Sequence, residues 1–158
     1  MSLRRFVAMF TLVAFGAVVL AGPVLAAKLD GAGQGGRLLT TTLTGAEEVD
    51  AQGNPNQGDL DGSGFATMTV NPGQHTVCYE LSVSGIAPAS DAHIHRAPAG
   101  ENGPIVVPLE PPTDGSSSDC VSVERALAKE ILKNPELYYV NVHNADFPGG
   151  ALRGQLSK

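Results

Sequence analysis

Strict alternation over residues 75–84 constrains this chain more than any other feature. Val77, Tyr79, Leu81 and Val83 are interleaved with Thr76, Cys78, Glu80 and Ser82. A period of two sends every second side chain to the same side, so this run has one apolar and one polar face and reads as a half-buried strand. Asn71-Pro72-Gly73 just before it is turn chemistry, which predicts a hairpin with residues 64–70. Further β-type segments lie at 38–44, 92–96, 105–109, 137–143 and 151–156, separated by Gly/Pro-rich stretches such as 98–104 and Pro148-Gly149-Gly150. Many short strands at this spacing predict an all-β fold: an antiparallel β-sandwich or barrel with Greek-key-like connections.

One stretch breaks the β pattern. In residues 123–133, V-E-R-A-L-A-K-E-I-L-K, Val123, Leu127 and Ile131 fall on one helical face; Ser122 is a candidate cap and Asn134-Pro135 a stop. A single short helix before the penultimate strand is therefore expected. Residues 51–64 and 111–119 are polar and Gly/Pro/Ser-rich, and read as exposed loops. Asp59, Asp61 and Ser63 resemble half of a calcium loop, but the terminal glutamate that such a loop requires is missing, and turn chemistry accounts for them.

The N-terminus has a different composition. Arg4-Arg5 precedes an uncharged apolar run over residues 6–20, followed by Val24-Leu25-Ala26, which is the layout of a cleavable secretory signal cut near Ala26. The run is shorter than the roughly 20 residues of a membrane span, so no stable span is expected in the mature form. Residues 27–36 read as a flexible lead-in, and residues 37–158 as one domain. The implied location is secreted or periplasmic. Loss of Arg4 and Arg5 takes the formal net charge from −6 to −8, which argues against nucleic acid as a partner. Cys78 and Cys120 are the two cysteines, and in an oxidising compartment an even pair reads as a disulfide. Closing a loop of about 43 residues would stabilise by roughly 4 kcal/mol on loop entropy alone. With no tryptophan, the core must rest largely on Val, Leu, Ile and Ala.

The candidate chemistry lies in the histidines. In A-H-I-H-R, alternation puts His93 and His95 on one face and Ala92, Ile94 and Arg96 on the other. In L-Y-Y-V-N-V-H, Val140 and Val142 form an apolar face, so Tyr139, Asn141 and His143 share the opposite one. If the two strands are neighbours, three imidazoles converge, a set suited to copper or zinc that leaves a coordination position open. His75 is a possible additional ligand. Arg153 is a charge within an otherwise apolar closing strand; Glu47, Glu48 and Glu80 offer carboxylates, and an Arg153–Glu80 structural ion pair is expected. No nucleophile elbow, phosphate-binding glycine loop or paired-carboxylate signature is present, so no catalytic residue is assigned.

The ordered set L-T-G-A-E-E-V (43–49), C-Y-E-L-S-V-S-G-I (78–86), A-H-I-H-R-A-P-A-G-E-N-G-P-I-V-V-P-L (92–109), Y-V-N-V-H (139–143) and F-P-G-G-A-L-R-G-Q-L (147–156) resembles the CHRD domain, the module named after chordin. The resemblance implies a secreted or cell-surface β-domain without a settled catalytic activity, and it places His93, His95 and His143 within the characteristic segments. Arg96 departs from the glycine common at that point. The expected function is a non-enzymatic transition-metal module using the three-histidine face. The alternative is an extracellular or cell-surface interaction or adhesion module, with an envelope or extracellular protein as partner and structural histidines. Copper–zinc superoxide dismutase also carries H-x-H on a strand, but it needs more histidines than this chain supplies.

Overall fold

The computed structural model describes residues 36–158; the expected signal peptide and nearly all of the expected lead-in lie outside the described residues. Eight strands form one antiparallel sheet: β1 (Arg37–Thr44), β2 (Ser63–Asn71), β3 (Thr76–Ser84), β4 (Ala89–Arg96), β5 (Ile105–Leu109), β6 (Ser116–Ser122), β7 (Tyr138–Asn144) and β8 (Leu152–Gln155). Their spatial order is β5-β4-β7-β8-β1-β2-β3-β6. The end strands β5 and β6 approach each other, so the sheet curls into a nearly closed barrel. Two hydrogen bonds help to join this seam: the Glu110 amide donates to the Tyr79 hydroxyl (2.6 Å), and the Ser117 hydroxyl donates to the Glu110 carbonyl (2.7 Å).

Alternation decides what fills the barrel. Leu39 and Leu43, Ala66, Met68 and Val70, Val77, Tyr79 and Leu81, Ala92 and Ile94, Val107 and Leu109, Val140 and Val142, and Leu152 all point inward and are buried. Each fully buried side chain of this size contributes on the order of 1.5–3 kcal/mol. The helix α1 (Arg125–Lys133) stands before the penultimate strand as expected and adds Ala128 and Ile131 to the core. Among the described residues, no helix is long and apolar enough to cross a membrane.

Three local expectations need correction. Residues 116–119, expected to lie in a loop, belong to β6, which pairs with β3 from Thr76↔Ser122 to Ser82↔Ser116. The Ser-rich run S-S-S-D-C-V-S gives little apolar alternation because β6 is a largely exposed end strand. Ser122 is therefore a strand residue rather than a helix cap, and α1 begins two residues later than expected, with Glu124 at its N-cap making no side-chain cap. His75 lies in the β2–β3 turn with φ +60°, not in the strand. Asn71 Oδ1 accepts from the Gly73 and Gln74 amides and fixes that turn. Cys78 and Cys120 face each other directly across β3 and β6 and are joined by a disulfide.

Candidate metal centre

The outer face of β4, β7 and β8 carries the site. Cross-strand register puts His93 opposite Asn141, and Asn141 opposite Arg153; His95 lies opposite Tyr139, and Asp91 opposite His143. The register shifts between Ile94 and His95 on the β5 side of β4, and between Ala89 and Asp91 on its β7 side. Such irregularities bend a strand and re-aim its side chains.

His93, His95 and His143 each bring one ring nitrogen to a point where these atoms all lie within 4.8 Å of one another. The ring centroids of His93 are 5.6 Å from those of His95 and 5.3 Å from those of His143. Backbone carbonyls hold two of the rings: His95 Nδ1 lies 2.9 Å from the Gly103 carbonyl and His143 Nδ1 lies 3.0 Å from the Pro148 carbonyl. A carbonyl only accepts, so each Nδ1 must carry the proton, and each Nε2 presents a lone pair. Those two Nε2 atoms, and Nδ1 of His93, are buried with no hydrogen-bond partner in the structure. Buried polar atoms without partners are costly, and this group of three histidines holds three of them. Burial lowers the pKa of His93, helped by the charge of His143. Burial also lowers that of His95, against the hydrogen bond to Gly103. Both rings therefore favour the neutral form that a metal requires.

Around the rings lies a second layer. The His95 ring stacks on Tyr139 at 4.8 Å with 9° between planes, and the Arg153 guanidinium carbon is 3.5 Å from the centre of the same Tyr139 ring. Arg153 is 1% exposed. It donates to the carbonyls of Pro98 (3.1 Å) and Glu101 (2.8 Å) and to Asn102 Oδ1 (3.4 Å). Gly103, whose carbonyl holds His95, follows directly in this loop and donates its own amide to the Tyr139 hydroxyl (3.3 Å). Arg153 thus fixes the loop that fixes a histidine. Its carboxylate neighbour is Glu48, 2% exposed, whose pKa burial pushes up to about 7 despite Arg153 and a hydrogen bond from Asn141.

Close packing explains two glycines of the 147–156 segment. Gly150 has φ +144°, and a Cβ there would collide with the Glu48 carboxylate. At Gly154 a Cβ would strike the Thr42 carbonyl of β1.

A family model of the CHRD domain matches residues 39–156. The chain belongs to the CHRD family. No curated protein and no solved structure matches it.

Within this CHRD domain, the three sequence-predicted histidines come together and His75 does not. The turn holds His75 apart, its carbonyl accepting from the Val123 amide (2.8 Å). Arg153 and Glu80 are not brought together either. Glu80 lies on β3, three strands from β8, opposite Thr67 and Ser118, whereas Arg153 lies opposite Thr44 and Asn141. Glu48 takes the place expected for Glu80, because the segment after the short 3-10 turn Gly45–Glu47 folds over the outer face of the sheet. Arg96, the departure from the family pattern, is exposed and pairs with Glu130 of α1, away from the imidazoles. No periodicity or motif marks the carbonyl acceptors at Gly103 and Pro148; their one signal in the sequence is that they lie within the CHRD-like segments 92–109 and 147–156.

Proposed function

We propose that this CHRD domain is an exported, non-enzymatic module that binds copper or zinc through His93, His95 and His143. The observation that carries the reading is the set of three buried ring nitrogens without partners, two of them on rings already held by backbone carbonyls. An all-imidazole set suits either ion. When bound, the ion would supply a Lewis-acidic centre on three imidazole nitrogens. Export is supported by the signal-like residues 1–26 and by the Cys78–Cys120 bridge, which suits an oxidising compartment.

Elemental analysis of mature protein purified without an affinity tag, followed by titration with copper and zinc salts, tests the reading. One equivalent should bind, and His93→Ala with His95→Ala should abolish stoichiometric uptake while leaving the folded circular-dichroism spectrum unchanged. Uptake that survives in a folded double variant rejects it. A wild-type domain that takes up no metal rejects it too, and favours the interaction module with structural histidines.

A further inference from the structure

The three-histidine set contains no anionic ligand, and the buried cation Arg153 stands behind it. A divalent ion bound there would have its charge offset by nothing in the first ring of ligands. One carboxylate is placed to change that. Asp91 is two residues before His93 on β4, hence on the same face as His93 and His95, and it lies directly opposite His143 on β7. Side chains directly opposite in an antiparallel pair have Cβ atoms roughly 4.5–5.5 Å apart. The register shift between Ala89 and Asp91 bends β4 at this residue, and the Thr113 hydroxyl, donating to the Ala89 carbonyl (2.9 Å), pins the strand just before it. Asp91 is exposed, so its side chain has room to turn.

Resting on the metal-binding reading, we propose that Asp91 is the fourth ligand of the site, closing over a divalent ion, zinc, to give a three-nitrogen, one-oxygen set. Tetrahedral zinc with bonds of about 2.0–2.1 Å requires ligand atoms roughly 3.4 Å apart. The histidine nitrogens, up to 4.8 Å apart, are wider than that and draw inward when the ion arrives. The Asp91 carboxylate lies outside the 4.8 Å group and swings in at the same step. The charge of Asp91 already bears on His93, opposing the downward shift imposed by burial and by His143. A site closed by four protein ligands holds its ion rather than offering it to a substrate. The carboxylate also favours a divalent ion over monovalent copper, whose preference is for softer ligands.

Zinc affinity is measured by competition with a chromophoric chelator for the wild type, Asp91→Asn, Asp91→Ala and the control Asp114→Asn, an exposed acid in the β5–β6 loop. The measurements are repeated in 1 M salt, where charges are screened beyond about 3 Å. Both Asp91 variants should bind zinc at least tenfold more weakly at either salt concentration, with the control unchanged. Wild-type affinity in the Asp91 variants overturns the fourth-ligand assignment while leaving the histidine site standing. A loss that vanishes in 1 M salt overturns it as well, since it would reflect only long-range charge. No zinc binding by the wild type would remove both this inference and the reading beneath it.

Discussion

The two halves of the barrel obey the same alternation yet end up with opposite outer faces. Around β2, β3 and β6 the outward face is partly open to solvent: Phe65 is 47% exposed, Ser82 and Ser116 are exposed beside it, and Thr67 and Glu80 are half-buried. Around β4, β7 and β8 the outward positions hold Tyr139, Asn141 and Arg153, all at most 2% exposed, because the segments at 45–58, 97–103 and 145–150 fold over them. The open half is fastened by a covalent bridge and backbone ladders. The covered half is fastened by a polar network. In this fold the sheet supplies the scaffold, while the loops decide which outer face becomes a low-dielectric site, where burial lowers the pKa of His93 and His95 and raises that of Glu48.

Removing the centre of the covered network should have the largest effect. Arg153→Met keeps the bulk but removes the donor that holds the Pro98 and Glu101 carbonyls and Asn102 Oδ1, and the cation over Tyr139, and should cost about 3–5 kcal/mol in urea unfolding. It should also weaken zinc binding in whatever fraction remains folded. A cost below about 1 kcal/mol would show that the loops stand without it. Next comes the open half: reducing the Cys78–Cys120 bridge should cost about 2–4 kcal/mol and lower the melting temperature, with metal uptake retained at temperatures where the reduced domain is folded. If reduction abolished uptake in the folded domain, the two halves would not be independent.

The smallest effect is a slope. Glu48 has a folded pKa of about 7, above its ordinary value of 4.5. Its stabilising contribution is therefore complete below about pH 4.5 and is lost as pH rises to about 7. His93 and His95 have lowered folded values, so their contribution is present above the usual imidazole range and is lost as pH falls through it. The two trends oppose each other. Glu48→Gln removes one of them, so between about pH 4.5 and 7 the variant should gain stability relative to the wild type by up to about 3 kcal/mol. Denaturant melts at a series of pH values read this out, and parallel curves for variant and wild type would mean that Glu48 does not hold its proton in the folded domain.

The legible parts of the molecule were those where side-chain period alone decides the outcome. His93 and His95 share a face by alternation, as do Asn141 and His143; the further step was that β4 and β7 are neighbours, which the sheet order supplies. The disulfide was legible because only two cysteines exist. What stayed hidden depends on contacts between distant segments. β6 has no periodic signal, since an end strand exposed along most of its length imposes little apolar requirement on its residues. The partner of Arg153 could not be read from strand patterns, because Glu48 comes from a covering segment rather than from a ladder. Likewise, His75 resembles a ligand only until its turn conformation is known.

The disulfide has a consequence for association. β6 carries little apolar surface of its own, yet it is what covers the edge of β3, a strand whose Val77, Tyr79 and Leu81 are buried in the core. Were β6 to peel away, β3 would offer a bare row of amides and carbonyls flanked by Val77, Tyr79 and Leu81, a template on which another chain could add a strand. By tying Cys120 to Cys78 at mid-strand, the bridge keeps a weak cover on a sticky edge. It thereby guards the β3 edge against strand addition by a second chain.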